Sequence, residues 1–287
     1  MNTNSVYKSV QGKEAILAAY DLLLEKWPVP FEKININTNH GDTFIIASGE
    51  KALPPLVLLH GSGSNSAMWI GDICEYTKYF RVYSVDLPGE PGKSTEIRPD
   101  LKTCAYSDWM KEVLIALAVK KASFVGISLG GWLAIKFAVA HQENIEKLVL
   151  LCPSGIGPQK ASVLLYLLPM KLFGKWGEEK GIKAIMGIKK LAKETIEYSR
   201  LISNNFLPYV GVVPIFTNEE LRSILCPTLL IAGDKDVLID SQKSVERARR
   251  TFQNITIDLL PGVGHGLINQ REKIISFLTE RDITQEK

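Results

Sequence analysis

Ser128 lies in the run "SFVGISLGGWLAIKFA", residues 123 to 138, where a strand-like stretch gives way to a helix-like one and glycines stand two positions to either side of the serine. A serine hydroxyl is a weak nucleophile at neutral pH unless a general base takes its proton, and that base needs a third group to hold its tautomer. A Gly-x-Ser-x-Gly match alone would arise by chance in roughly a tenth of chains this long, so its setting must carry the weight. Here "ASFVGI" has the character of a strand and "LGGWLAIKFAVA" that of an apolar helix, the strand-turn-helix setting of a nucleophile elbow. A Cβ at Gly126 or Gly130 is then expected to collide with a neighbouring element. The competing role for Ser128 is capping the helix that follows.

Four histidines could supply the base: His40 in an early turn, His60 at the end of a strand, His141 after the helix that follows Ser128, and His265 in "LLPGVGHGLINQ". A parallel sheet gathers the carboxyl ends of its strands at one edge, so a base after the last strand can reach a serine after an earlier one. Only His265 is so placed with an acid upstream. That acid should come from "PTLLIAGDKDVLID", where Asp234 suits a turn after Gly233 and Asp240 suits a helix cap. Asp236 is left as the orienting carboxylate, with Asp234 its main rival. Charge developing on a carbonyl oxygen also needs backbone donors. Leu129 N–H, directly after the nucleophile, is one; the glycine-rich "LLHGSGSN" offers the other, at Ser62 N–H. His60 is read as bracing that loop through its ring nitrogens.

The elements that must hold these residues are legible in the hydropathy pattern. Residues 13 to 26 have helical spacing, and "FEKININTNHGDTFIIAS" reads as two strands joined by a turn, an antiparallel edge. From residue 55 onward come "PLVLLHG", "FRVYSVDLPG", "ASFVGIS", "EKLVLLCPSG", "PTLLIAGDKD" and "ITIDLLPGVGH", continuous apolar runs that suit strands buried on both faces of a parallel sheet. Helices are expected at 105 to 119, 129 to 141, 240 to 252 and 268 to 279, so the fold class is α/β with helices on both faces. About 65 residues without strand pattern, between "LLCPSG" and "LRSILCPTLL", exceed any ordinary α/β loop and predict an inserted helical subdomain. Its many lysines suit solvated helix faces; the alternative is a lid with a lipid-facing or anion-attracting surface. Its apolar residues Leu164, Leu168, Met170, Phe173 and Phe206 either line a pocket or hold the subdomain together.

At 287 residues with a formal charge of +3, the chain shows no basic field of the kind that nucleic-acid binding requires. Its four cysteines include no Cys-x-x-Cys pair, which predicts neither a zinc site nor a disulfide framework, but mostly buried thiols in a reducing compartment. The first twenty residues lack the pattern of a secretory signal, and no apolar run approaches the roughly 20 residues of a membrane span, so a cytoplasmic location is expected. The sequon at Asn254 falls in a strand and carries no meaning without export.

Together "HGSG", "DLPGEPGKS", "GISLGG", "GDKD" and "GVGHG" resemble the α/β-hydrolase superfamily, in its order of nucleophile, acid and histidine. The resemblance covers about residues 55 to 155 and 225 to 270. It implies an eight-stranded, mostly parallel sheet with a helical cap after the sixth strand: a core of residues 1–154 and 221–287 and a cap of 155–220. It also favours Asp236 over Asp234 as the acid. Serine at the elbow argues against dehalogenase-like and epoxide-hydrolase-like members, which use aspartate there. One departure is visible: where many relatives have Asp-x-x-Gly-x-Gly-x-Ser, "DLPGEPGKS" has an extra residue and Glu90 where histidine is common, which concerns the pocket wall and not the triad. The expected activity is hydrolysis of a small carboxylic ester or related acyl compound, partly apolar, through an acyl-enzyme without metal or organic cofactor. Carbon-carbon bond hydrolysis, acyl transfer and a hydrolase-like ligand receptor are the alternatives.

Overall fold

The computed structural model describes residues 5–160, 173–188, 190–209, 211–267 and 269–280. Eight strands form one sheet: β1 (Phe31–Thr38), β2 (Gly41–Ser48), β3 (Pro55–Leu59), β4 (Arg81–Val85), β5 (Ala122–Ile127), β6 (Ile145–Leu151), β7 (Thr228–Gly233) and β8 (Ile255–Leu260). Their spatial order is β1-β2-β4-β3-β5-β6-β7-β8. β2 is antiparallel to both neighbours, whereas every pairing from β4 across to β8 is parallel. All six apolar runs read from residue 55 onward are strands, and β5 and β7 are buried at every position. That burial is why their sequences run apolar without alternation.

One face of the sheet is covered by α3 (Ala105–Ala116), α4 (Leu129–Ala140) and α8 (Ser241–Thr251), whose contribution to the core includes Trp109, Trp132, Phe137 and Val245. The other face carries α1 (Val10–Glu25), the short α2 (Ile73–Tyr76) and α9 (Arg271–Thr279), with Tyr20, Leu24, Tyr76 and Ile274 packed inward. The hydropathy pattern does not announce α2 or the 3-10 turn Ser66–Gly71 before it, because neither is long enough to complete a periodic stripe. α4 is apolar nearly all round and nine of its twelve residues are buried, as a helix sunk into a core must be.

The approach of α4 to the sheet sets the glycines around Ser128. A Cβ on Gly126 would stand 2.4 Å from the Gly130 carbonyl oxygen, and one on Gly130 would stand 2.2 Å from the Leu59 carbonyl oxygen. Both contacts are with backbone, which cannot swing aside. Gly130→Ala is therefore expected to destabilise the protein by about 3 kcal/mol, since overpacking against rigid main chain forces β3 and α4 apart. A urea titration reads this as a lower midpoint, and an unchanged midpoint would contradict the close approach.

The long segment between β6 and β7 contains α5 (Gly174–Met186), α6 (Lys193–Asn205) and α7 (Asn218–Arg222), the last closed by a Thr217–Glu220 capping box. No strand occurs there among the described residues. Leu164, Leu168 and Met170 lie outside the described residues. Of the other two apolar candidates, Phe173 is 64 % exposed, while Phe206 is 2 % exposed and packs edge-on to Tyr7. Phe206 thus belongs to a small cluster with Val6, Tyr7, Ile16 and Ile202 that fastens α6 to α1. Nothing in the periodicity of either helix specifies that partner.

Candidate active site

Ser128 occupies the corner between β5 and α4 with φ 54° and ψ −111°, a conformation that costs about 1–3 kcal/mol for a residue with a side chain. Its N–H donates to Leu151 O at 2.9 Å, and its own carbonyl accepts from Trp132 and Ser154. Its side chain makes no capping hydrogen bond to α4. The corner is therefore held by backbone alone, and the hydroxyl is left for other work. Leu129 N–H opens the N-terminal turn of α4, where unpaired amides and the helix dipole favour negative charge.

His265 follows β8 and Asp236 follows β7, so the parallel sheet brings both to the edge where Ser128 stands. His265 Nδ1 lies 2.7 Å from Asp236 Oδ2, and the two residues are 8 % and 1 % exposed. Asp236 Oδ1 accepts from the amides of Leu238 at 2.8 Å and Ile239 at 3.1 Å. Burial pushes this carboxyl up, but the bond and charge of His265 together with the two amides outweigh it, and the net result is below the ordinary aspartate value. With Nδ1 engaged by a carboxylate, Nε2 is the ring nitrogen available as base. Among the described residues no hydrogen bond joins Nε2 to Ser128 Oγ; such bonds commonly tighten only once substrate is bound.

The rival acids do what turn and cap residues do. Asp234 Oδ1 accepts from Gly262 N–H at 2.6 Å, and Asp240 Oδ1 accepts from Lys243 N–H at the start of α8. The other histidines are engaged with other partners. His60 Nε2 accepts from Leu87 N–H at 2.9 Å, which leaves Nδ1–H to donate to Gly61 O at 2.8 Å; it braces the glycine-rich loop, and burial lowers its basicity. His141 pairs only loosely with Glu143, and the N–H of His40 donates to Thr38 in the β1–β2 turn.

That loop runs against the elbow: a Cβ on Gly61 would lie 3.6 Å from Ser128 Cβ, an ordinary contact. Ser62 follows and is exposed. Gly63 N–H and the Ser62 hydroxyl both donate to Glu90, a buried carboxylate that sequence reasoning noted only as a departure. Two further features escaped it. Asn65 Nδ2 donates to Tyr198 Oη on α6 at 2.6 Å and to Pro91 O, tying the loop to the inserted helices. The glycines beside His265 allow the end of α5 to lie directly on the histidine loop: Gly266 N–H donates to Met186 O at 2.9 Å, and a Cβ on Gly264 would stand 2.5 Å from Gly187 Cα.

Cys152, at φ 41° just past β6, brings its sulfur near this pair. Cys152, Asp236 and His265 offer ligand atoms all within 4.8 Å of one another, the spacing of a metal site. A ligating thiol must be ionised, whereas burial, with the Asp236 charge adding to it, holds this thiol well above its ordinary range. Of the other cysteines, expected to be mostly buried, Cys104 is exposed and Cys74 and Cys226 are half-buried, because each lies on an outer helix face or loop rather than in a strand.

A family model described as "Alpha/beta hydrolase family" matches residues 56–275. The chain is 31 % identical over 296 residues to carboxylesterase YbfK of Bacillus subtilis (strain 168), an alignment covering 95 % of this chain and 96 % of that one. It superposes on the crystal structure of carboxylesterase CesB (YbfK) from Bacillus subtilis with a TM-score of 0.84 at 30 % identity, covering 94 % of this chain and 99 % of the other. Naproxen esterase (carboxylesterase NP) from Bacillus subtilis gives the same TM-score and coverage at 27 % identity.

Proposed function

The chain belongs to the alpha/beta hydrolase family, and on that premise we propose that it is a carboxylesterase-like hydrolase in which Ser128, His265 and Asp236 act as the catalytic triad. Ser128 Oγ forms a bond to the ester carbonyl carbon while His265 Nε2 takes the hydroxyl proton. The oxygen that becomes negative is received by the amides of Ser62 and Leu129. Collapse expels the alcohol, which leaves with the proton from His265; water, deprotonated by the same ring, then releases the acid and restores the serine. Asp236 fixes the tautomer and stabilises the imidazolium. Every step is proton transfer or acyl transfer, and none calls on a metal or organic cofactor.

The observation that carries this reading is the buried His265–Asp236 pair at 2.7 Å, at the sheet edge where the strained corner presents Ser128. The carboxylesterase relatives support the ester as substrate class. The reading extends to a core of residues 1–154 and 221–287 with a cap of 155–220 over the site, and to a small, partly apolar ester as the partner rather than nucleic acid. No helix among the described residues is long and apolar enough to cross a membrane, and a cytoplasmic location is part of the reading.

A serine-directed phosphonate probe followed by peptide mapping, beside a panel of esters graded by acyl length, tests it. The expected outcome is labelling at Ser128 and turnover that depends on acyl length. Labelling at Ser128 with negligible, flat turnover would instead favour a ligand receptor, and absence of labelling would remove Ser128 from the reaction.

A further inference from the structure

Glu90 is 3 % exposed, and its carboxylate faces the glycine-rich loop. Oε2 accepts from Gly63 N–H at 2.6 Å, and the Ser62 hydroxyl lies 3.3 Å from both oxygens. The residue sits in the turn of "DLPGEPGKS" whose own conformation is fixed from several sides. Asp86 accepts from the amides of Ser66 and Lys93 and from Tyr20 Oη, while Pro91 O accepts from Asn65 Nδ2. Glu90 is thus a rigid acceptor, and the loop it holds is the one expected to carry an oxyanion donor. Among the described residues no cation bonds this buried carboxylate, which makes its burial costly, and the Gly63 amide is the closest of its donors there.

We propose that Glu90 is the positioning residue of the oxyanion loop: by gripping Gly63 N–H and the Ser62 hydroxyl, its carboxylate fixes the peptide of Ser62 so that Ser62 N–H faces the acyl oxygen. This rests on the triad reading above. Glu90 touches no reacting atom and acts only through the loop. The charged and titratable groups that face it are Arg98 from the segment just past that turn, Tyr106 from α3 and Tyr7 from the N-terminal segment. Burial pushes the Glu90 carboxyl up to about 7, against the opposing pull of the Gly63 amide, Arg98 and the Ser62 hydroxyl. The ionised form, which accepts from both loop donors, is therefore the form present on the alkaline side of neutrality, and it is lost as the pH falls through that value.

The test compares kcat and KM of the native protein, E90Q and E90A on a short activated ester. E90A is expected to lower kcat about a hundredfold with KM changed less than about threefold, the signature of an interaction made in the transition state. E90Q, which keeps one acceptor for Gly63 N–H and serves if E90A does not fold, is expected to lose about tenfold at about pH 8.5. The ratio of native to E90Q kcat should then fall towards one by about pH 5.5, because a protonated glutamic acid is neutral and nearly isosteric with glutamine. A merely structural role would lower both pH arms alike. A ratio constant across pH, or kcat within threefold of native in both variants, overturns the proposal. If Ser128 is still labelled by the phosphonate in that case, the triad reading stands without it; if native Ser128 is never labelled, both fall.

Discussion

Ser128→Ala is expected to lower kcat for a short activated ester about a million-fold, to a residue of catalysis left by the oxyanion donors and by binding alone. The size of the effect follows from covalent catalysis. Without Oγ there is no acyl-enzyme, and His265 and Asp236 have no proton to move. The fold should survive, because the side chain makes no hydrogen bond to α4 and the corner is tied by backbone, through Leu151 O to the Ser128 amide and through Trp132 and Ser154 amides to its carbonyl. Alanine at φ 54° bears about the same strain as serine, so the urea midpoint should move by less than about 1 kcal/mol in stability. KM should stay within a few-fold. The measurement is steady-state turnover with phosphonate labelling as a companion; a variant that retained a tenth of native kcat would remove Ser128 from the mechanism.

Asp236→Asn is expected to cost about ten-thousandfold in kcat while leaving KM close to native. The amide keeps the shape, and its oxygen can still accept from Leu238 and Ile239, but its NH₂ now faces His265 Nδ1 and drives the ring into the tautomer whose Nε2 carries a proton and cannot serve as base. Asp234→Asn and Asp240→Asn are the controls: their carboxylates cap a turn and a helix, so each should keep kcat within about threefold. Loss of activity in Asp234→Asn and not in Asp236→Asn would reverse the assignment. Stability should report the same carboxylate. Because its folded value lies below that of an ordinary aspartate, it contributes stability that is fully present above about pH 4 and is lost as the pH falls further. Asp236→Asn should flatten that part of the acid unfolding curve, read by circular dichroism.

The parts of this protein that were legible in its sequence are those set by local rules. Continuous apolar runs marked the buried strands, helical spacing marked α1, α3, α4, α8 and α9, and Gly126-x-Ser128-x-Gly130 marked a corner too tight for a Cβ. Strand order and handedness then put the loops after β3, β5, β7 and β8 at one edge, so the proposed nucleophile, base and acid could be named from where strands end. One local expectation shifted: the thiols are mostly not buried, since only Cys152 directly follows a strand. Phe206, read as either lining a pocket or holding the subdomain together, does the second by securing α6 to α1.

Only the tertiary structure decided which polar groups meet across the fold. Glu90 reaching Gly63, Asn65 bonding Tyr198, Gly264 lying against Gly187 and Cys152 standing beside Asp236 and His265 each join residues far apart in the chain. Hydropathy period carries no information on such pairs, because it records which face of an element is buried and not which element buries it. A hydrogen bond depends on tenths of an ångström in the relative placement of whole layers, and that placement is settled by the packing of all the side chains together.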